Sequence, residues 1–268
     1  MQPSLGAKIG EGATAEVYAF APGQVVKLFK AGIPGRIGRH EAAMTRASFA
    51  AGGVAPEVFD EVTLEGRYGL VLARLEGPSL MQAVKSGALS NTDAGAVLAE
   101  QLRAVHAAAP PPAIPALRET LAVYLRRAPG VLPAPVAAGL SVLLDHLPPD
   151  EGFCHGDPNP GNVILTAEGP RLIDWIGAMR APAAFDLAAA QVILTELAPH
   201  LADDPARPRA IHAALSAAYA ALAGTSEAAL AASAATYQPL VRALMVFNGA
   251  VPAMRARLAE RLEDDFGG

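Results

Sequence analysis

The sequence predicts an α+β chain in two unequal parts: a small, mostly antiparallel sheet with one helix, then a larger, mainly helical part. Three observations predict it. Residues 1–75 are rich in Gly, Val and short alternating runs. After Gly77-Pro78 the chain turns Ala- and Leu-rich, with apolar residues at helical spacing. A short β interlude, Phe153 to Trp175, interrupts the helical part.

The elements follow in order. Ala7 to Ile9 and Glu16 to Phe20 read as strands around a Gly-containing turn. Gln24 to Lys30 reads as a strand after the Pro22-Gly23 turn. His40 to Ala51 reads as a helix ending at Gly52-Gly53. Val58 to Leu64 and Tyr68 to Leu72 read as a hairpin across Glu65-Gly66. In the helical part, Ser90-Asn91-Thr92-Asp93 has the form of a capping-box start. Val97, Leu98, Leu102 and Val105 then recur on one helical face, and Pro110 to Pro115 breaks that helix. From Phe185 onward the chain reads as helices, with Ile211 to Ala223 and Leu240 to Leu262 the clearest. No internal repeat is present.

Composition excludes several classes. The chain has 268 residues, enough for one large domain or two lobes sharing a cleft. Hydrophobic residues make up 52% and charged residues 18%, so a sizeable core is expected and global disorder is not. A net charge of -5 argues against a general nucleic-acid binder, which needs a basic stripe. The single cysteine, Cys154, allows no internal disulfide, so a reducing, cytoplasmic setting is expected. Met1 to Gly6 shows no basic segment leading into an apolar run, so no secretory leader is expected. The Ala-rich stretch from Ala181 to Ala198 is broken by Pro182, Asp186 and Glu196, so it reads as buried helix and no membrane association is expected.

The chemistry concentrates in residues 155–175. Asn162 to Thr166 reads as a strand, Ala167 to Pro170 as a turn, and Arg171 to Trp175 as the returning strand. Asn162 and Asp174 stand equally far from Glu168, so a hairpin centred there brings both to its open end. A carboxylate and an amide oxygen together suit Mg2+, a hard cation that keeps several waters and bridges phosphate oxygens. Asp157 lies just upstream in a Gly- and Pro-rich loop, where a carboxylate can accept a proton from an attacking hydroxyl. Phosphoryl transfer asks mainly for positioning and charge neutralisation, and these residue types supply both.

The first part adds a nucleotide signal. Gly10 and Gly12 open a turn, Gly10 to Val17, in which backbone N–H groups can approach phosphates. Lys27 alternates with Val25 and Phe29 and so shares their apolar face, where an ammonium needs an anion. Glu41, on the following helix, is the expected partner.

The set resembles the protein-kinase-like superfamily, and within it the aminoglycoside phosphotransferase and choline kinase branch. That branch has His-Gly-Asp where protein kinases have His-Arg-Asp, and this chain has His155-Gly156-Asp157. It has Ile-Asp-Trp or similar in place of Asp-Phe-Gly, and this chain has Ile173-Asp174-Trp175. The spacing from Asp157 to Asn162, Phe185-Asp186-Leu187-Ala188, and Leu102 to His106 also fit the branch. The third glycine of the protein-kinase loop is Ala15 here, a difference the aminoglycoside branch often shares.

The resemblance implies a bilobal protein-kinase-like fold, with an N-lobe at residues 1–75 and a helical C-lobe at residues 76–268. It implies that Asp157 is the catalytic base or the carboxylate that orients the substrate, and that Asn162 and Asp174 hold Mg2+. Lys27, oriented by Glu41, would contact the α- and β-phosphates of ATP. Ile9, Val17 and Val25 would roof the adenine and Ile164 and Ile173 would floor it. The Ala73 carbonyl and the Leu75 N–H would pair with the adenine edge, and Asp186 would brace the catalytic loop.

Other residues have plainer readings. His155 and His106 read as structural histidines, Cys154 as buried, and Trp175 as a packing residue. The acidic end, Glu260 to Asp265, reads as a solvated helix terminus; in this branch such residues can also bind substrate amino groups. The stretch between Asp174 and Asp186 is too short for the activation segment of a protein kinase. The expected activity is therefore transfer of the γ-phosphoryl of ATP to a hydroxyl of a small molecule such as an aminoglycoside, an amino alcohol or a sugar. The alternative is a silent, nucleotide-binding scaffold, whose mark would be a missing base or metal residue.

Overall fold

The computed structural model describes residues 5–52, 55–128, 130–149, 151–248 and 252–266. Its first part is a sheet of five strands: β1 (Lys8–Glu11), β2 (Ala15–Ala19), β3 (Gln24–Phe29), β4 (Val58–Leu64) and β5 (Arg67–Ala73). All neighbours are antiparallel, in the order β1-β2-β3-β5-β4. Lys27 stands in the central strand β3, opposite Val17 on one side and Leu70 on the other.

One helix, α1 (Gly35–Ala50), joins β3 to β4. It begins five residues before the expected His40. Pro34 precedes it in extended conformation, and a proline is tolerated at a helix start because its missing N–H has no intrahelical partner there. The first turns hold Gly35 and Gly38, which hide the helical pattern. Gly38 is demanded by packing: a Cβ there would come within 2.2 Å of the Tyr68 ring. Gly53, expected at the end of this helix, lies outside the described residues.

The helical part contains α2 (Leu80–Lys85), α3 (Asn91–Ala107), α4 (Leu117–Leu125), α5 (Ala134–Asp145), α6 (Ala183–Gln191), α7 (Ala206–Ala223), α8 (Glu227–Ala235), α9 (Gln238–Phe247) and α10 (Pro252–Phe266). Ser90 caps α3 by accepting the Asp93 N–H at 3.0 Å. The single helix expected over Leu240 to Leu262 is two helices, α9 and α10. Pro252 opens α10: a proline lacks the N–H and clashes with the preceding turn, so it starts a helix more readily than it continues one. Residues 249–251, inside that expected helix, lie outside the described residues.

Between α5 and α6 run four short strands: β6 (Phe153–Cys154), β7 (Val163–Thr166), β8 (Gly169–Leu172) and β9 (Met179–Arg180). β6 pairs with β9 and β7 with β8. One buried apolar cluster joins the helices to this interlude, including Leu98, Leu102, Phe153 and Trp175. Met44 of α1 belongs to it, so the core continues from the sheet part into the helical part. Each such large side chain contributes about 1.5–3 kcal/mol by leaving water. Among the described residues no helix is long and apolar enough to cross a membrane.

Candidate active site

A cleft of about 580 Å3 separates the sheet from the β interlude. The turn from Gly10 to Gly12 and the side chains of Ile9, Val17 and Val25 line its upper side. Ala73, the last residue of β5, and Leu75 line its back. Ile164 and Ile173 line its floor. Lys27, Glu41, Asn162 and Asp174 meet at its polar end. Asp157 stands outside the lining, one side chain behind Asn162, and so does the expected brace Asp186.

The polar end is a connected set. The Lys27 ammonium lies 2.6 Å from Oε1 of Glu41 and 3.2 Å from Oδ1 of Asp174. With side chains 14% and 3% exposed, Lys27 and Glu41 are not a solvent-screened surface pair. Burial works against the Lys27 charge, but the carboxylates of Asp174 and Glu41 outweigh it and raise the ammonium above its ordinary value. Burial pushes the Glu41 carboxyl up to about 7, with the nearby Asp174 charge adding to the rise and Lys27 opposing it.

Asp157 sits in the loop after β6. Its Oδ2 accepts from Nδ2 of Asn162 at 2.8 Å and its Oδ1 from Nδ2 of Asn159 at 3.1 Å. Burial, then the charge of Asp174, raises its carboxyl above the ordinary range. Asn162 also donates to the Asp157 carbonyl at 3.0 Å, so its amide nitrogen is engaged and its oxygen is the end left for a ligand.

The hairpin register differs from the one expected. Thr166 pairs with Gly169 across a two-residue turn, so Asn162 faces Ile173, whose N–H it accepts at 2.9 Å. In that register Asp174 would point away from Asn162. Instead β8 ends at Leu172, Asp174 takes a left-handed conformation at φ 65°, and a 3-10 turn begins at Trp175. Such a conformation is costly for a residue with a Cβ and tends to occur at functional sites. The Asp174 carboxylate there contacts Lys27, whereas strand pairing was expected to set it beside Asn162.

Asp186, the first acidic residue of α6, holds the loop from behind. Its carboxylate oxygens accept the N–H groups of His155 and Gly156, each at 2.8 Å. His106 adds a contact of 3.1 Å from Nε2, and its Nδ1 lies 2.7 Å from the Tyr219 hydroxyl. Gly156 has φ 83°, and a Cβ there would lie 2.0 Å from the Gly177 carbonyl oxygen. His155 is fully buried; Nε2 lies 3.0 Å from the Ile173 carbonyl, and Nδ1 accepts the Asp157 N–H at 3.2 Å. Both of its nitrogens therefore bond backbone. Cys154 is buried, and Trp175 packs on Phe153 and His155.

Sequence reasoning missed two contributors. Asn159 holds the Asp157 carboxylate and accepts the Gly161 N–H at 2.9 Å, a turn bond that the Asp-Pro-Asn-Pro-Gly run could have suggested. Tyr219 completes the His106 contact from α7, 113 residues away, and no local pattern signals it. The donor chemistry fits Mg2+: a carboxylate and an amide oxygen, both hard, among the residues that line the cleft.

The model of the phosphotransferase enzyme family matches residues 6–247. No curated protein matches the chain. The fold is similar to a choline/ethanolamine kinase family protein from Mesorhizobium loti, with 20% identity, TM-score 0.61, and 97% of this chain covering 89% of that one. It is similar to APH(2")-IIia, solved with GDP and kanamycin, with 15% identity, TM-score 0.58, and coverage of 98% and 93%. It is also similar to the aminoglycoside phosphotransferase APH(3'')-Id from Streptomyces rimosus, solved with ADP and streptomycin, with 19% identity, TM-score 0.50, and coverage of 86% and 92%. Those likenesses carry the fold, and the family match spans most of the sequence. The chain belongs to the phosphotransferase enzyme family.

Proposed function

We propose that the chain transfers the γ-phosphoryl group of ATP to a hydroxyl of a small molecule. The observation that carries this reading is a pair of polar contacts at one place. Lys27 contacts Asp174, and Asn162 contacts Asp157, at one end of the cleft. In this reading residues 1–75 form the nucleotide lobe and residues 76–268 carry the catalytic loop and the acceptor site.

The adenine lies between Val17 and Val25 above and Ile164 and Ile173 below, with Ala73 and Leu75 at its edge. Lys27 binds the phosphates, and Glu41 fixes its direction. Asp157 accepts the proton of the attacking hydroxyl; its raised carboxyl makes it a better base than an exposed aspartate. Asn162 and Asn159 aim that carboxylate. Asn162 and Asp174 would hold Mg2+, which neutralises phosphate charge and orients the transferred group when bound. Structural neighbours solved with kanamycin or streptomycin support a hydroxylated, amine-bearing acceptor. The single cysteine of the chain, Cys154, suits a reducing, cytoplasmic setting.

The test is nucleotide binding by thermal shift, with Mg-ATP and Mg-GTP. Wild type should be stabilised by Mg-ATP, and Lys27→Met and Asp174→Asn should lose most of that shift. Equal shifts in wild type and both variants would contradict the assignment of the cleft.

A further inference from the structure

We infer that Glu11 is a positioning residue of the nucleotide turn, latched to Lys8 and Lys30 on the outer face of the sheet so that its carboxylate stays clear of the phosphates. The inference rests on reading the cleft as a nucleotide site. Glu11 stands between the two glycines of the turn, Gly10 and Gly12, and all three residues line the cleft. An unpaired carboxylate facing that space would repel a triphosphate.

The strand register sends the carboxylate elsewhere. Lys8 pairs with Tyr18, and an unbroken antiparallel ladder from there would set Ile9 opposite Val17 and Glu11 opposite Ala15. Val17 and Ala15 both line the cleft, so Glu11 would share their face. Instead the register shifts between Lys8 and Gly10. Gly10 pairs with Val17 and Glu11 with Glu16, which makes Ile9 the extra residue of a β-bulge. The bulge moves Glu11 to the face of Glu16 and Tyr18, opposite that of Val17, and leaves Ile9 in the cleft lining.

Two ammonium groups meet Glu11 there. One comes from Lys8 and the other from Lys30, the latter at 2.8 Å. Lys30, then Lys8, holds the Glu11 carboxyl below its ordinary value. Lys8 also reaches Glu16 at 2.9 Å, and Arg67 holds Glu16 at 2.8 Å, so the latch is anchored on the neighbouring strands. Lys30 holds the turn by its main chain as well: its N–H donates to the Thr14 carbonyl at 2.9 Å. Glu11 and Lys8 are exposed, and such pairs add little to stability. What they set is the direction of one charge.

Two readouts on the full chain test the latch. The first is Mg-ATP affinity by isothermal titration at low salt. Lys8→Met/Lys30→Met frees the carboxylate and should weaken Mg-ATP by about fivefold or more. Adding Glu11→Gln should restore most of that affinity. The gap should shrink in about 1 M salt, where charges are screened beyond about 3 Å. If the lysines touched the phosphates themselves, Glu11→Gln would restore nothing, and that result overturns the proposal. An affinity that the two lysine changes leave unaltered also overturns it. The second readout needs no nucleotide. The Gly12 N–H donates to the Ala15 carbonyl at 2.8 Å, and its hydrogen exchange should be faster in Lys8→Met/Lys30→Met than in wild type. Wild type that binds no Mg-ATP removes the nucleotide reading of the cleft, whereas unchanged exchange at Gly12 removes the latch.

Discussion

Nε2 of His106 lies 3.1 Å from Oδ2 of Asp186, and that carboxylate also takes the N–H groups of His155 and Gly156. Asp186 is fully buried. Burial alone would raise its carboxyl, but the hydrogen bond from His106 and the neighbouring donors outweigh it and hold it below the ordinary range. Asp186→Asn replaces one acceptor oxygen by a donor facing an N–H. It should cost roughly 3 kcal/mol in urea unfolding. The folded value lies below the unfolded one, so the carboxylate's contribution is complete above about pH 4 and fades as pH falls through the folded value. The gap between wild type and Asp186→Asn should therefore narrow in acid. A gap independent of pH would contradict the ionised brace.

Gly156→Ala should disable the loop. The new Cβ would meet the Gly177 carbonyl oxygen at 2.0 Å, on top of a φ of 83°. A loss of at least about 3 kcal/mol is expected. Gly169→Ala is the control: its φ is 114°, but its Cβ would meet nothing within 4 Å. That change should cost only about 1–2 kcal/mol. Equal losses on thermal unfolding would mean that the close approach to Gly177 does not matter.

The Lys27–Glu41 pair predicts a pH signature in the ligand-free protein. Glu41 has a folded value near 7, raised above its unfolded value. A raised group favours the fold at low pH, and that contribution is lost as pH rises through the folded value. Relative to Glu41→Gln, wild type should thus lose stability between about pH 4.5 and 7. Lys27→Met removes the ammonium beside Glu41 and should destabilise more at pH 8 than at pH 5. Unfolding midpoints across that range check both. A Glu41→Gln protein with the same pH dependence as wild type would rule out Glu41 as the source.

Much of this was legible in the sequence, because local chemistry fixes it. The Glu65-Gly66 turn marked a hairpin, Ser90 marked a helix start, and Lys27 on an apolar face called for an anion on the next helix. Three things were not legible. The hairpin register depends on whether the turn between Thr166 and Gly169 has two residues, and only tertiary context selects the left-handed Asp174 whose carboxylate reaches Lys27. The start of α1 was hidden because Gly38 answers to the Tyr68 ring and not to helix propensity. The Tyr219 contact joins distant segments, and no spacing rule reaches that far.

The acid side of the pH–rate profile tests the role of Asp157. Burial and Asp174 raise its carboxyl, so kcat/KM should fall with decreasing pH at a value above that of an exposed aspartate. Asn159→Ala removes one donor to that carboxylate and should move the fall further upward. A profile flat through the mildly acidic range in both proteins would remove Asp157 from the base role.

The most direct measurement is transfer from γ-labelled ATP, in the presence of Mg2+, to a panel of aminoglycosides, amino alcohols and sugars. Wild type should label at least one acceptor, and Asp157→Asn should reduce the rate by about 10²–10⁴-fold while binding Mg-ATP as wild type does. Binding of Mg-ATP with no labelled acceptor across the panel, or labelling that survives Asp157→Asn unchanged, would contradict the proposed phosphotransfer.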